Sequence, residues 1–138
     1  MKIVINTCFG GFELSNKALK RLAELEGREC YFFKGGLGST YTKTEENERN
    51  MFTTAFDIPN PNEVIGNDGG NLWAKHHIDN SRDDRTNPLL VQVVEELGDA
   101  ASGQCADLKV VEVPDGVKWV LDEYDGVETI HEEHRSWS

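Results

Sequence analysis

The residues best placed to hold a ligand stand in a glycine pair close to the start of the chain. Gly10 and Gly11 separate a short apolar run from a predicted helix. Such a position can present backbone N–H groups beside the positive end of a helix dipole, which suits a phosphate or a carboxylate. The sequence contains neither G-x-G-x-x-G nor a P-loop pattern. A pair that only permits a tight turn is the competing interpretation, and we favour it for isolated glycines.

Candidate positive charge comes from a pair of arginines that precedes a second predicted helix. Arg82 and Arg85 enclose two aspartates. A guanidinium group binds phosphate through paired hydrogen bonds, whereas the aspartates offer partners within the same turn. We expect local pairing for at least one of the two arginines and take Arg82 as a candidate ligand cation.

Aromatic side chains near the ends of predicted elements are candidates for stacking on a planar ligand. They are Phe12, Tyr124 and Trp137, and Arg135 stands beside the last of these. Tyr124, Arg135 and Trp137 together would clamp a base. The competing interpretation is a tail that docks its tryptophan against the body of the protein or against another subunit.

The histidines and carboxylates form no recognisable catalytic or metal-binding pattern. His76, His77, Asp79, His131 and His134 include enough donors for a metal, but the last two lack the i, i+4 spacing and the chain has no C-x-x-C. We therefore expect solvated histidines, with neither a metal nor a cofactor. The sequence has no nucleophile elbow either, so binding without chemistry is the expectation.

The charge of the chain limits the classes of partner. The net charge is −11, and residues 112–133 carry eight carboxylates and one lysine. This field repels phosphates, so we expect no direct binding to nucleic acid. The acidic run either keeps the protein soluble or forms a face for a partner. The apolar stretches fall short of the roughly 20 residues of a membrane span, and three widely spaced cysteines without a signal peptide indicate a cytoplasmic protein.

Hydrophobic periodicity predicts an α+β fold, with two main helices packed on a mixed or antiparallel sheet and a β-meander at the end. The first helix follows Ser15 and stops at Gly27, and the second starts with Asn87 as N-cap and Pro88 in its first position. Strands are predicted at 2–6, 30–33, 72–78, 106–113, 117–124 and 127–131, the last of these strand or a short helix. The first strand, first helix and second strand resemble a βαβ unit.

Residues 34–71 differ from the rest because glycines and prolines interrupt them and no clear apolar face runs through them. We predict one domain over residues 1–138, with a variable, loop-rich insertion at about 34–71. Within it, Thr44 is a candidate cap for a short helix that ends at Phe56. The glycine cluster at 34–42 suits a ligand lid or an ordinary surface loop equally well.

Several stretches together resemble a group of small, mostly uncharacterised proteins of bacteriophages and prophages. The matching residues are 5–12, 93–98, 108–114, 123–126 and 134–137. The resemblance covers about residues 1–33 and 82–138. It implies a context of host takeover or counter-defence in the cytoplasm of the host cell, which includes capture of the nucleotide signals of bacterial immunity.

The leading expectation is therefore a binding protein that sequesters a nucleotide-like signal and performs no chemistry. The backbone near Gly10, Gly11 and Phe12 would contact phosphate or ribose, with charge from Arg82 or Arg135 and stacking by an aromatic ring. One alternative is an acidic inhibitor of a host protein, or a nucleic-acid mimic, that uses the run 112–133. A metal-dependent nucleotide hydrolase is the third function class. A pocket shared between copies of a homo-oligomer is compatible with the first.

Overall fold

A computed structural model describes residues 1–35, 40–45, 53–65, 71–79, 82 and 84–132. These residues form a mixed α+β fold with three antiparallel sheets, and the described chain ends in strands. The predicted fold class is thus confirmed. The chain divides into two compact units, Met1–Ser15 with Ser81–Ser138, and Asn16–Asn80. One domain with an insertion at 34–71 stays a prediction.

The elements in chain order are β1 (Lys2–Asn6), α1 (Asn16–Leu25), β2 (Tyr31–Gly35), β3 (Tyr41–Lys43), β4 (Thr53–Phe56), α2 (Pro61–Val64), α3 (Asn71–His76), α4 (Pro88–Leu97), a 3₁₀ turn (Gly98–Ala101), β5 (Leu108–Glu112), β6 (Trp119–Tyr124) and β7 (Val127–Glu132). No described helix is long and apolar enough to cross a bilayer.

In the first unit, β1 pairs with β5, and β6 pairs with β7 as a hairpin. The buried side chains of Ile3, Ile5 and Val113 form a core cluster, against which Trp119 and Leu121 pack. Alternate residues of β6 therefore face the core, as the sequence pattern predicts. The intervening residues of the strand are exposed to solvent, and two of them, Asp122 and Tyr124, line the candidate site.

The start of α4 follows directly from two residues. The side chain of Asn87 accepts a hydrogen bond from the backbone N–H of Leu89 at 2.9 Å, and Pro88 occupies the first turn. This satisfies an N–H group that has no partner within the helix. The predicted cap is therefore confirmed. The apolar side chains of Leu90, Val93 and Val94 on this helix are buried.

The second unit contains the sheet β3-β2-β4 and the helix α1. Tyr31 pairs with Phe56 and Gly35 with Tyr41 across this antiparallel sheet. The apolar face of α1 is buried as predicted, through Ala18, Leu19, Leu22 and Ala23. Gly27 follows the helix with φ +76°, a conformation that glycine adopts without strain.

Two predicted elements of the second unit are wrong. Residues 72–78 were expected to form a strand, but α3 covers most of them. A short apolar run has no decisive period, and here helical spacing places Trp73 and His77 face to face at 4.2 Å. The helix predicted from Thr44 to Phe56 is wrong at its C-terminal end, because residues 53–56 form the strand β4, which pairs with β2. Residues 46–52 lie outside the described residues.

The predicted βαβ unit is also corrected. In the part of the chain that the structure describes, β1 pairs only with β5, and β2 only with β3 and β4. The two strands that flank α1 therefore belong to different sheets. Strand pairing depends on contacts between distant residues, and the local pattern that predicts strand, helix and strand says nothing about their partners.

Candidate functional site

The glycine pair after β1 packs closely against the turn between β6 and β7. Gly10 and Gly11 have φ values of +117° and +91°, and Gly126 has +89°. A Cβ atom on Gly126 would lie 2.5 Å from the backbone nitrogen of Gly11, and one on Gly10 would lie 2.7 Å from the Cβ of Cys105. Packing and backbone conformation thus account for these glycines, which supports the turn interpretation. Their assignment as ligand contacts stays a prediction.

The side chain of Asn6 connects the glycine loop to the turn between β6 and β7 through hydrogen bonds. Its side chain is fully buried, and its Nδ2 donates to the carbonyl oxygens of Cys8 and Gly126, both at 2.7 Å. Its Oδ1 accepts from the backbone N–H of Asp107 at 2.9 Å. Sequence reasoning missed Asn6. The available signal was an amide side chain at the end of an otherwise apolar strand, where a buried polar group must find partners.

A buried ion pair lies beside this asparagine. Arg85 binds Glu128 through two hydrogen bonds, Nη1 to Oε1 at 2.5 Å and Nη2 to Oε2 at 2.9 Å, and Oε1 also accepts from the backbone N–H of Asn6 at 2.8 Å. The Nε of Arg85 donates to the carbonyl oxygen of Arg82. The guanidinium carbon lies 3.7 Å from the ring centroid of Phe12, so a cation of the chain itself covers one face of that ring.

This pair changes the interpretation of the two arginines. The carboxylate that Arg85 binds is that of Glu128, 43 residues further along the chain, whereas within its own turn Arg85 donates to the backbone oxygen of Arg82. Pairing of an arginine with the aspartates of the turn stays a prediction. The guanidinium of Arg85 is thus paired with Glu128 inside the fold. Arg82 is half-buried and stays a candidate ligand cation. Arg135 and Trp137, the candidates in the tail, lie outside the described residues.

Tyr124 lines a groove together with Phe9, an aromatic residue that the sequence pattern does not identify as a candidate. Phe9 and Tyr124 are 65% and 83% exposed, and both contribute to a groove of about 270 Å³. The remaining lining residues are Asp122, Glu123, Val127 and Thr129. A signal for Phe9 was present, since a large apolar residue inside a glycine turn has no strand or helix face through which to be buried.

The polar groups of the groove are mainly acceptors. Asp122 contributes a carboxylate on the face of β6 that Tyr124 shares, and Glu123 stands on the other face, opposite Glu128. No lysine or arginine is among the described lining residues. Glu123 Oε1 accepts from the backbone N–H of Gly126 at 2.6 Å, while Asp122 Oδ2 lies 3.4 Å from Nε2 of His131. Aromatic faces beside acceptor oxygens suit a planar ligand that carries N–H donors, or a cation.

A second cluster of titratable groups belongs to the other unit. His76 Nδ1 lies 2.8 Å from Asp57 Oδ1, and Arg28 Nη2 lies 3.0 Å from Asp57 Oδ2. Burial raises the pKa of Asp57, but the hydrogen bonds from His76 and Arg28 outweigh burial and leave that pKa below its usual range. Burial lowers the pKa of His77, which favours its neutral form.

The predicted histidine candidates do not come together around a metal. Among the described residues, no group of three or more His, Cys, Asp or Glu side chains is arranged to hold an ion. His76 and His77 are adjacent but differ in surroundings, because one binds Asp57 and the other stacks on Trp73. His134 lies outside the described part of the chain.

The fold and the groove together define a small α+β protein with an exposed aromatic groove. No protein-family model matches the sequence, and neither the curated proteins nor the solved structures compared with it show a significant similarity. The resemblance to bacteriophage proteins therefore stays an expectation from the sequence, and the functional argument depends on the residues of the chain.

Proposed function

We propose that this protein captures a nucleotide-like small molecule and holds its base between Phe9 and Tyr124. The observation that carries the proposal is that two strongly exposed aromatic side chains line one groove of about 270 Å³. Stacking of a base on an aromatic ring contributes about 1–3 kcal/mol. No chemical step is part of the proposal, and release returns the ligand unchanged.

The charge of the protein restricts where the phosphate groups of such a ligand lie. The net charge is −11, and Asp122 and Glu123 line the groove, so a phosphate is disfavoured inside it. The base therefore enters and the phosphates stay outside. Arg82 and Arg135 are the proposed sources of positive charge, and the backbone of Gly10 and Gly11 the proposed neighbour of the ribose or phosphate.

The resemblance to bacteriophage proteins supports a biological role for this capture. Sequestering a nucleotide signal of bacterial immunity in the host cytoplasm needs tight binding and no turnover. A homo-oligomer is part of this proposal, since a shared pocket adds stacking and charge from a second copy. Light scattering after size-exclusion chromatography measures that state.

Native mass spectrometry with mononucleotides and cyclic dinucleotides tests the capture. We expect the wild-type protein to retain at least one of these compounds at its unchanged mass. Tyr124→Ala should weaken retention at least about fivefold, because it removes a stacking surface. Val120→Ala is the matched control, since Val120 is exposed on the same strand but does not line the groove. Equal retention by both variants, or no retention by the wild type, would refute the proposal.

The carboxylates of the groove favour a second candidate, an acidic surface that binds a basic host protein. Asp122 is exposed beside Tyr124, an arrangement that accepts a lysine or arginine side chain as readily as a base. A lysine-rich peptide is the probe. Its affinity should fall steeply between low and physiological salt because exposed ion pairs are screened, whereas a stacked base should respond less. A nucleotide recovered as a hydrolysed product would instead favour the third function class, a hydrolase.

A further inference from the structure

We propose that the groove selects nucleobases that present N–H donors, with guanine favoured most and uracil least. This inference rests on the proposed capture of a nucleotide-like ligand and names the class of base that the same groove accepts. It follows from the polar lining of the groove, whereas the stacking proposal follows from its aromatic residues.

Three polar residues line the groove: Asp122, Glu123 and Thr129. Asp122 and Thr129 are directly paired across β6 and β7 on the face that Tyr124 shares, whereas the side chain of Glu123 belongs to the other face, opposite Glu128. An ionised carboxylate only accepts hydrogen bonds, and the threonine hydroxyl both donates and accepts. The Oγ1 of Thr129 lies 3.0 Å from Nε2 of His131 and is already engaged there. The groove therefore offers acceptors in excess, and a base pays the least desolvation cost when its edge supplies donors.

The carboxylate of Asp122 is partly held in place, yet it can still accept hydrogen bonds. Its Oδ2 lies 3.4 Å from Nε2 of His131, and its Oδ1 has no hydrogen-bonding partner among the described residues. A carboxylate has about four acceptor positions, so Asp122 can accept from a ligand without losing the contact that orients it. The carboxylate of Glu123 instead accepts from the backbone N–H of Gly126 at 2.6 Å, in the turn.

Base edges differ in how well they match these acceptors. Guanine presents a ring N–H beside an amino group, which is a pair of parallel donors that fits the two oxygens of one carboxylate. Adenine and cytosine present an amino group beside an acceptor nitrogen. Uracil presents one N–H between two carbonyl oxygens, and both oxygens face the carboxylate unfavourably.

The interior of the molecule already contains an aromatic ring and a carboxylate that together hold a flat group with N–H donors. The planar guanidinium of Arg85 lies over the ring of Phe12 at 3.7 Å, while two of its nitrogens donate to the carboxylate of Glu128. An aromatic face and a carboxylate thus hold one flat array of N–H donors. The groove offers the same two elements, with Tyr124 as the ring and Asp122 as the carboxylate.

Uncharged nucleosides test the inference because they carry no phosphate. The dissociation constants of guanosine, inosine, cytidine and uridine are measured by chemical-shift titration of the intact protein. Inosine is guanosine without the amino group, and uridine replaces the amino group of cytidine by a carbonyl oxygen. We expect guanosine to bind about 3- to 10-fold tighter than inosine, and cytidine tighter than uridine.

An isosteric variant connects that preference to the carboxylate of Asp122. Asp122→Asn should reduce the ratio of guanosine to inosine affinity toward one, because it replaces an acceptor oxygen by a group that donates. Glu112→Gln is the control, since it removes the same charge from an exposed position on β5 outside the groove. It should leave the ratio unchanged.

The outcomes separate this inference from the proposed function. If nucleosides bind in a manner that depends on Tyr124 but show no preference, or if the preference persists in Asp122→Asn, selection of the base by the carboxylate is wrong and capture stands. If the wild-type protein binds neither nucleosides nor nucleotides, both proposals are wrong.

Discussion

Two clusters in this molecule each join an arginine to a carboxylate, and they differ in how completely the partners are enclosed. In the first unit, the side chains of Arg85 and Glu128 are 14% and 7% exposed. In the second unit, those of Arg28 and Asp57 are 33% and 23% exposed. Arg85 also donates to a backbone oxygen and covers Phe12, whereas Asp57 shares its carboxylate with His76.

The difference separates a charge pair that holds the fold together from one that responds to pH. A buried pair is tolerated when its remaining donors and acceptors are satisfied, and removal of one partner leaves an uncompensated charge. The partly exposed pair is screened by water and contributes less. It also follows that positive charge at Arg85 is not available to a ligand, which is why the exposed aromatic groove, rather than the arginine turn, supports the proposed function.

The largest expected effect is the loss of one partner from the buried pair. Arg85→Ala should lower the stability of the first unit by about 3–5 kcal/mol, because it leaves Glu128 charged and buried. The measurement is native-state hydrogen exchange of the buried amides of β1, which reports that unit alone. Arg28→Ala is the matched variant in the second unit, and its cost should be about 1 kcal/mol.

A double replacement sharpens this prediction. Arg85→Met combined with Glu128→Leu removes both charges and should recover much of the stability lost by Arg85→Ala, since apolar residues of similar volume replace buried pairs at little cost. Equal costs for Arg85→Ala and Arg28→Ala would contradict the distinction between the two clusters.

An intermediate effect is expected at the turn next to the buried pair. Gly126→Ala should cost about 2–4 kcal/mol, because φ is +89° and the new Cβ would meet the backbone nitrogen of Gly11 at 2.5 Å. Gly116→Ala is the control. Its φ is +83°, but nothing lies within 4 Å of the Cβ, so only the conformational cost of about 1 kcal/mol remains. Urea denaturation of both variants measures the difference, and similar midpoints would show that the close approach is unimportant.

A smaller effect should depend on pH in the second unit. The pKa of Asp57 is lowered in the folded protein, so the unfolded chain binds a proton more readily. The resulting stability is present above the ordinary aspartate pKa of about 4 and is lost as pH falls through the lowered value. Asp57→Asn should therefore reduce stability by about 1 kcal/mol at pH 7.

The pH profile distinguishes this account from a simple packing defect. The difference between wild type and Asp57→Asn, measured by hydrogen exchange of β4 amides, should shrink as the pH falls below about 4. A difference that stays constant across that range would show that ionisation of Asp57 does not stabilise the unit.

Sequence reasoning reached those parts of the fold that local chemistry determines. Asn87 and Pro88 fixed the start of α4, and the alternation around Trp119 and Leu121 fixed the buried face of β6. The pairing of β1 with β5 joins residues over 100 positions apart, and no local pattern encodes it. The α3 segment was misassigned because a run of few apolar residues fits either period.

The candidate site was predicted only in part, for similar reasons. Tyr124 is a candidate from the sequence because it is an aromatic residue near the end of a predicted strand, and it lines the groove. Phe9 was missed, since its partner across the groove is more than 100 residues away. Glu128 is one of eight carboxylates in the run 112–133, and only the approach of Arg85 distinguishes it from the others.

Tyr124→Ala is expected to change the stability of the protein least and its ligand binding most. Tyr124 is 83% exposed, so Tyr124→Ala should change the free energy of unfolding by no more than about 0.5 kcal/mol. The central claim is that a ligand-binding groove exists apart from the buried pair that holds the fold. Its most direct test is the dissociation constant of a retained nucleotide, measured by calorimetry on Tyr124→Ala alongside the urea midpoint of the same sample. We predict binding weakened at least about fivefold with an unchanged midpoint, and unchanged affinity would contradict the claim.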